Sequence, residues 1–183
     1  MTPLSDTHTA VSPLAGRKAI ITGGTTGIGR AIAVLLASEG AEVFICGRSS
    51  EHLADALARI GEVGKGNGIA LDLAEPGQLD RFFDEARSYL GSPDIVIVNA
   101  AVPAQALSKM SADEIRYAVE VDFTAYILSA KSAQEILADK GDIVLIGSMS
   151  AHILGPGSTV YAGMKAGIAG FAEALRRKLG PKE

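Results

Sequence analysis

An apolar run, Lys18-Ala19-Ile20-Ile21-Thr22, passes without a spacer into Thr22-Gly23-Gly24-Thr25-Thr26-Gly27-Ile28-Gly29. Few folds accommodate that junction. Glycines let the backbone turn sharply, and the next residues, Ile28 to Glu39, repeat apolar positions at helical spacing. Ile28, Ile32, Leu35 and Leu36 form the expected inward stripe, and Gly40 ends the helix. A strand feeding a helix through such a turn gathers free N–H groups and the positive end of a helix dipole at one point, which suits a phosphate. The spacing is Gly-x-x-x-Gly-x-Gly rather than Gly-x-Gly-x-x-Gly, and a tight turn without a ligand is the alternative. Glycines so spaced directly after a buried strand favour nucleotide binding.

The rest of the chain repeats the strand–helix alternation. Ala41 to Cys46 reads as a second strand. Ser49 or Ser50 caps a helix to about Ile60, with Leu53, Ala56, Leu57 and Ile60 inward. Gly61 to Gly68 reads as a loop and Ile69 to Leu73 as a third strand. Pro76 to Leu90 is a helix with Leu79, Phe82, Phe83 and Ala86 on its apolar face. Ile95-Val96-Ile97-Val98 suits a central parallel strand. Ser111, with Glu114 at the capping-box position, opens a long helix to about Ala138. Ile143 to Ile146 is a fifth strand, and Ser158 to Leu179 a last helix. About five parallel strands with helical crossovers imply an α/β doubly wound sheet, with ligands at the carboxyl ends of the strands. Residues 1–16 lack periodicity and read as a flexible N-terminal arm, leaving 17–183 as a single domain.

Composition excludes several classes. A chain of 183 residues with 48% hydrophobic content supports one buried core. The net charge of −4 and the absence of a basic block argue against nucleic acid. Arg176-Arg177-Lys178 suits a helix C-terminus. Cys46 is the single cysteine, so neither a disulfide framework nor a thiolate metal cluster is expected. His8, His52 and His152 do not fall at metal-ligand spacing. No apolar run approaches the ~20 residues of a membrane span. The N-terminus lacks signal-peptide features, so a cytoplasmic setting is expected.

Several side chains carry chemistry. The second strand ends Cys46-Gly47-Arg48-Ser49, where a cofactor with a free ribose 2′-hydroxyl would usually meet an acid. Arg48 suits a 2′-phosphate, favouring NADP(H) over NAD(H). Asp72, at the end of the third strand, either accepts from an adenine amino group or makes a turn. Ser148 ends the fifth strand, and Ser150 is a weaker rival. Tyr161 and Lys165 lie four apart on one helix face. Carbonyl reduction needs a proton donor, and tyrosine, with a pKa of ~10, needs a nearby ammonium to favour its phenolate. Lys165 can supply that charge, and Ser148 can position the substrate oxygen. His152 reads as a loop residue without a role.

In this order and spacing, the glycine turn, Asp72, Asn99-Ala100, Ser148 and Tyr161-x-x-x-Lys165 resemble the short-chain dehydrogenase/reductase family across about residues 17–180. The resemblance implies a Rossmann-like three-layer α/β/α domain and an NAD(P)-dependent oxidoreductase acting on a small-molecule carbonyl or alcohol. It implies a cofactor site at Gly23, Thr25, Thr26, Gly27, Ile28, Gly29, Arg48, Ser49, Asp72, Leu73, Asn99, Ala100, Ala101, Tyr161 and Lys165. Tyr161 would be proton donor and acceptor. Lys165 would bind the nicotinamide ribose, and Ser148 would orient substrate. A homodimer through the two long C-terminal helices is also implied.

Three departures qualify the match. Val98-Asn99-Ala100-Ala101 stands for Asn-Asn-Ala-Gly. Asp122 stands where family members carry an asparagine that helps hold a water linking the lysine to solvent; an ionised Asp122 would raise the pKa of a nearby Tyr161. The chain stops at Glu183, short of the family's usual length, leaving the fifth strand as an expected open edge and a catalytically weak nucleotide-binding module as the alternative.

Overall fold

The structure, a computed structural model, describes residues 12–180. Five parallel strands form one sheet in the order β3-β2-β1-β4-β5. They are β1 (Lys18–Ile21), β2 (Glu42–Gly47), β3 (Lys65–Ala70), β4 (Ile95–Val98) and β5 (Asp142–Leu145). The helices are α1 (Gly27–Ser38), α2 (Ser50–Val63), α3 (Gln78–Leu90), α4 (Ala112–Val119), α5 (Ala125–Ile136) and α6 (Thr159–Leu179). A π-helical turn, Glu120–Thr124, joins α4 to α5, with the Ala125 N–H donating to the Glu120 carbonyl five residues back.

Alternation along the strands builds two cores. Ile20, Phe44, Val96 and Val98 face Phe82 and Phe83 of α3, Tyr126 of α5 and Ile168 of α6. Ala19, Ile21, Val43, Ile45 and Ile97 face Ala33 and Ala37 of α1 and Ala56 and Ile60 of α2. Apolar residues on both faces are what a sheet covered twice by helices requires. The doubly wound three-layer fold expected from the sequence is the one observed.

Three local expectations are corrected. The buried stripe of α1 is Gly29, Ala33 and Ala37. Ile28 and Leu35 are instead 64% and 59% exposed. Close seating of the helix on β1 and β2 selects small residues, which turns the larger ones outward.

The third strand begins at Lys65, inside the expected loop. Glycines are present there because α2 lies close. A Cβ at Gly66 would sit 2.6 Å from Val43 Cγ2 and 2.8 Å from Ile60 Cγ2. The strand is thus glycine-rich for packing rather than for turning.

Residues 1–11 of the expected arm lie outside the described residues. From Ser12 onward the chain is part of the domain. Leu14 packs on the α1–α2 core, and Gly16 N–H donates to Gly40 O at 2.9 Å.

β5 is an edge strand among the described residues, and its Val144 is 41% exposed. The end of β4 is pinned to the end of β1 by the buried Thr22, whose Oγ1 accepts from Asn99 N at 2.9 Å and Ala100 N at 3.2 Å. That pin sets the floor of the site.

Candidate functional site

A cleft of about 650 Å³ opens along the carboxyl ends of the strands. One wall is the glycine-rich turn, with Gly23, Thr25, Thr26 and Ile28 facing the cleft. Of the remaining turn glycines, Gly27 is exposed and Gly29 is buried, and neither lines the cleft. Asn99 Nδ2 donates to Thr22 O at 3.2 Å and to Gly23 O at 3.1 Å, bracing the turn against β4. A Cβ at Gly29 would fall inside the contact distance of both Gly23 O and Asn99 Nδ2. Gly29 is therefore fixed by close approach. No acidic residue stands in the first turn of α1, so its N–H groups meet no competing negative charge.

One end of the cleft is built from three elements. Arg48 follows β2, Asp72 follows β3 and Tyr117 projects from α4. Arg48 Nη1 donates to Tyr117 Oη at 2.8 Å, and the Tyr117 hydroxyl donates to Asp72 Oδ2 at 2.8 Å. The guanidinium carbon lies 5.7 Å from the Tyr117 ring centroid. Asp72 Oδ1 accepts from Ala74 N at 3.0 Å, so the turn role read for this residue is present. Ser49 lines the cleft and caps α2 by accepting from His52 N at 3.2 Å. Leu73, Ala100 and Ala101 also face the cleft. Cys46 is fully buried, and burial pushes its thiol up to about 12, which makes it unreactive.

The other end holds Tyr161 and Lys165 of α6. Lys165 is buried, only 1% exposed. Its ammonium donates to Tyr126 Oη at 2.9 Å and to the Ile146 carbonyl at 3.4 Å, and lies 5.6 Å from the Tyr161 ring centroid. Tyr126 in turn donates to Ile146 O at 3.2 Å. Burial, reinforced by the charge of Asp122, raises the Tyr126 phenol well above its ordinary range, so it remains protonated. Ser148 is half-buried and directly follows Gly147 of the cleft lining, without lining the cleft itself. Its oxygen accepts from Ser150 N at 3.1 Å and caps a short 3₁₀ turn, Met149–Ala151.

Asp122 is fully buried in the π turn. Its Oδ1 accepts from Val102 N at 2.8 Å, while Oδ2 has no partner among the described residues. Burial raises its pKa against the opposing pull of the Val102 N–H and of Lys165. Burial likewise lowers Lys165, which Asp122 partly offsets. A carboxyl raised on folding binds more protons in the native state than in the unfolded one. It therefore withdraws stability as pH climbs through the ordinary carboxylate range. Asp122→Asn is expected to gain stability relative to the parent as pH rises from 4 to 8, measured by urea denaturation. A pH-independent difference between the two would contradict this.

The sequence reading lacks three participants: Thr22, Tyr117 and Tyr126. Tyr126 follows Asp122 by four residues, a spacing that places both on one helical face and was available as a signal. Nothing local to Tyr117 marks it, because its partners come from two other strand ends. Among the described residues no group of three or more His, Cys, Asp or Glu could hold a metal ion, and no helix is long and apolar enough to cross a membrane.

The chain resembles proteins of known family in both sequence and fold. Residues 17–183 match the family model for short chain dehydrogenases. Oxidoreductase asL5 of Sarocladium schorii is 35% identical over 168 residues, spanning 90% of this chain and 67% of that protein. The 3-oxoacyl-[acyl-carrier-protein] reductase FabG of Escherichia coli is 32% identical, spanning 90% and 68%. A short chain dehydrogenase from Burkholderia cenocepacia, solved in complex with NADP, superposes with a TM-score of 0.85 at 33% identity, covering 92% of this chain and 70% of that one. The chain spans about two thirds of the length of these relatives. With the glycine turn, the doubly wound sheet and the Tyr161–Lys165 helix in place, this chain belongs to the short-chain dehydrogenase/reductase family of oxidoreductases.

Proposed function

We propose that this chain is an NADP(H)-dependent oxidoreductase that transfers a hydride between the nicotinamide and a carbonyl or alcohol substrate, with Tyr161 as general acid and base. One observation carries the reading. Tyr161 and Lys165 open onto the same cleft as the glycine turn and Arg48.

The residues fit the cofactor. The glycine turn, packed too tightly for a Cβ at Gly29, brings the N-terminus of α1 to the cleft, where its free N–H groups suit a pyrophosphate. At the end of β2, Gly47 and Arg48 offer a cation and no acid, which suits a 2′-phosphate. The Burkholderia relative solved with NADP supports the same choice. Arg48 and Ser49 would hold the 2′-phosphate, Asp72 and Leu73 the adenine, and Asn99, Ala100, Ala101 and Lys165 the nicotinamide riboside. When bound, the nicotinamide supplies or takes up the hydride.

The chain's own residues handle the proton. Tyr161 gives its phenolic proton to the carbonyl oxygen as the new C–H bond forms, leaving the alcohol, and recovers it in the reverse direction. The Lys165 ammonium lies 5.6 Å from the Tyr161 ring centroid, on the helix face that carries this exchange. Ser148 accepts a backbone hydrogen bond but keeps its own O–H to donate toward the substrate oxygen. Asp122 lies close enough to Lys165 to support its charged form against the effect of burial.

Steady-state oxidation of NADPH with a panel of aldehydes and ketones tests this reading. The expected outcome is carbonyl-dependent turnover with NADPH preferred to NADH. A second reading, a catalytically weak nucleotide-binding module, draws on the Lys165 ammonium bonding Tyr126 rather than the Tyr161 hydroxyl. NADPH binding without turnover across the panel would favour it.

A homodimer through α5 and α6, in a cytoplasmic setting, belongs to the same proposal. Leu128 of α5 is 43% exposed, and Gly163 and Gly170 of α6 face open space. Gly167 is taken up within the chain, since a Cβ there would lie 2.7 Å from Phe123. Light scattering at micromolar concentration should return twice the chain mass; a monomer there would count against the dimer.

A further inference from the structure

Arg48 is a long side chain on the rim of a cleft, and such a side chain samples many rotamers unless something fixes it. Tyr117 fixes it. The Tyr117 hydroxyl accepts from Arg48 on one side and donates to Asp72 on the other, at 2.8 Å each. The ring lies beside the guanidinium, with 5.7 Å from its centroid to Cζ. Asp72 is itself anchored by Ala74 N–H. The result is one directed chain, Arg48 to Tyr117 to Asp72, spanning three elements.

We infer that Tyr117 is a specificity-determining residue for the adenosine 2′-phosphate, holding Arg48 as a preformed anion receptor and keeping it off Asp72. This rests on the NADP(H) reading above. Two features of the geometry support it. Tyr117 engages one of the five guanidinium N–H donors, leaving the others for a phosphate. Arg48 also makes no ion pair among the described residues, although Asp72 is one hydroxyl away. Without the intervening phenol, the carboxylate would be free to draw the guanidinium across and cancel the charge that a phosphate needs. Ordering the side chain in advance removes that loss from the binding step.

Calorimetric binding of 2′,5′-ADP and 5′-AMP reads the effect without turnover. The Tyr117→Phe variant keeps the ring and deletes the hydroxyl, and thermal melting checks that it folds like the parent. It is expected to bind 2′,5′-ADP about tenfold more weakly while 5′-AMP changes less than about twofold. Arg48→Ala is expected to lose about fiftyfold for 2′,5′-ADP and little for 5′-AMP. Unchanged or tighter 2′,5′-ADP binding by Tyr117→Phe, with Arg48→Ala still impaired, would overturn the role of Tyr117 alone. A parent protein that binds 5′-AMP as well as 2′,5′-ADP would overturn the NADP(H) reading and this inference together.

Discussion

A Tyr161→Phe variant is expected to reduce carbonyl compounds about a thousandfold more slowly than the parent at saturating NADPH, with NADPH affinity changed less than about twofold. The substitution keeps the ring and its packing at a half-buried position on α6 and removes one hydroxyl. If that hydroxyl carries the proton, the loss falls on kcat, because the proton moves in the transition state and not in the binding step. Single-turnover kinetics with NADPH in excess separates the two. A variant within tenfold of the parent would show that another group delivers the proton. Tyr161 is a cleaner probe than Lys165. Replacing the lysine would also strip Tyr126 of its ammonium partner and leave Asp122 without the nearest opposing charge.

The second large effect lies in the phosphate turn. Gly29→Ala is expected to cost about 3 kcal/mol of stability and to abolish measurable nucleotide binding. The added Cβ would collide with a backbone carbonyl, Gly23 O, and with the Asn99 amide that braces it. Neither is the loose end of a flexible side chain. Relief requires the turn to move away from β4, which also breaks the Asn99 bonds to Thr22 and Gly23. Urea denaturation measures the first effect and calorimetry with NADPH the second. A variant that keeps parental stability would mean the turn has slack that its contacts do not suggest. Gly27→Ala offers a contrast: its penalty comes from a positive φ of 52° in otherwise open space.

The fold was legible because the strands carry uninterrupted apolar runs. Ile95-Val96-Ile97-Val98 and Lys18-Ala19-Ile20-Ile21 need no context to read as buried parallel strands. β3 was harder, since Lys65-Gly66-Asn67-Gly68 has the composition of a loop and becomes a strand only because Val43, Ile45 and Ile60 crowd it. α1 misled for a related reason. Large residues announce a stripe, but proximity to the sheet selects Gly29, Ala33 and Ala37. The candidate site follows the same division. Arg48, Asp72, Asn99, Tyr161 and Lys165 were legible because each sits at a strand end or on the returning helix. Tyr117 was not, because both of its partners lie more than forty residues away, and Tyr126 was marked only by its spacing from Asp122, its ammonium partner lying 39 residues on.

The π turn between α4 and α5 has a consequence for how the cleft is furnished. Tyr117 and Tyr126 are nine positions apart, and on an uninterrupted α-helix at 3.6 residues per turn they would point roughly half a turn apart. Both nevertheless face the cleft, one at the Arg48 end and one at the Lys165 end. The wider turn at Glu120–Thr124 absorbs about one residue, roughly 100° of rotation, and brings the two phenols onto neighbouring faces. The helix thus works as a camshaft whose widened turn holds the offset between its two lobes despite an extra residue. Shortening the chain by one position within that turn would leave every functional side chain in place chemically. It would also return the turn to plain α geometry with the two phenols still about 80° apart, so the widened turn is what makes a nine-residue spacing compatible with one shared cleft.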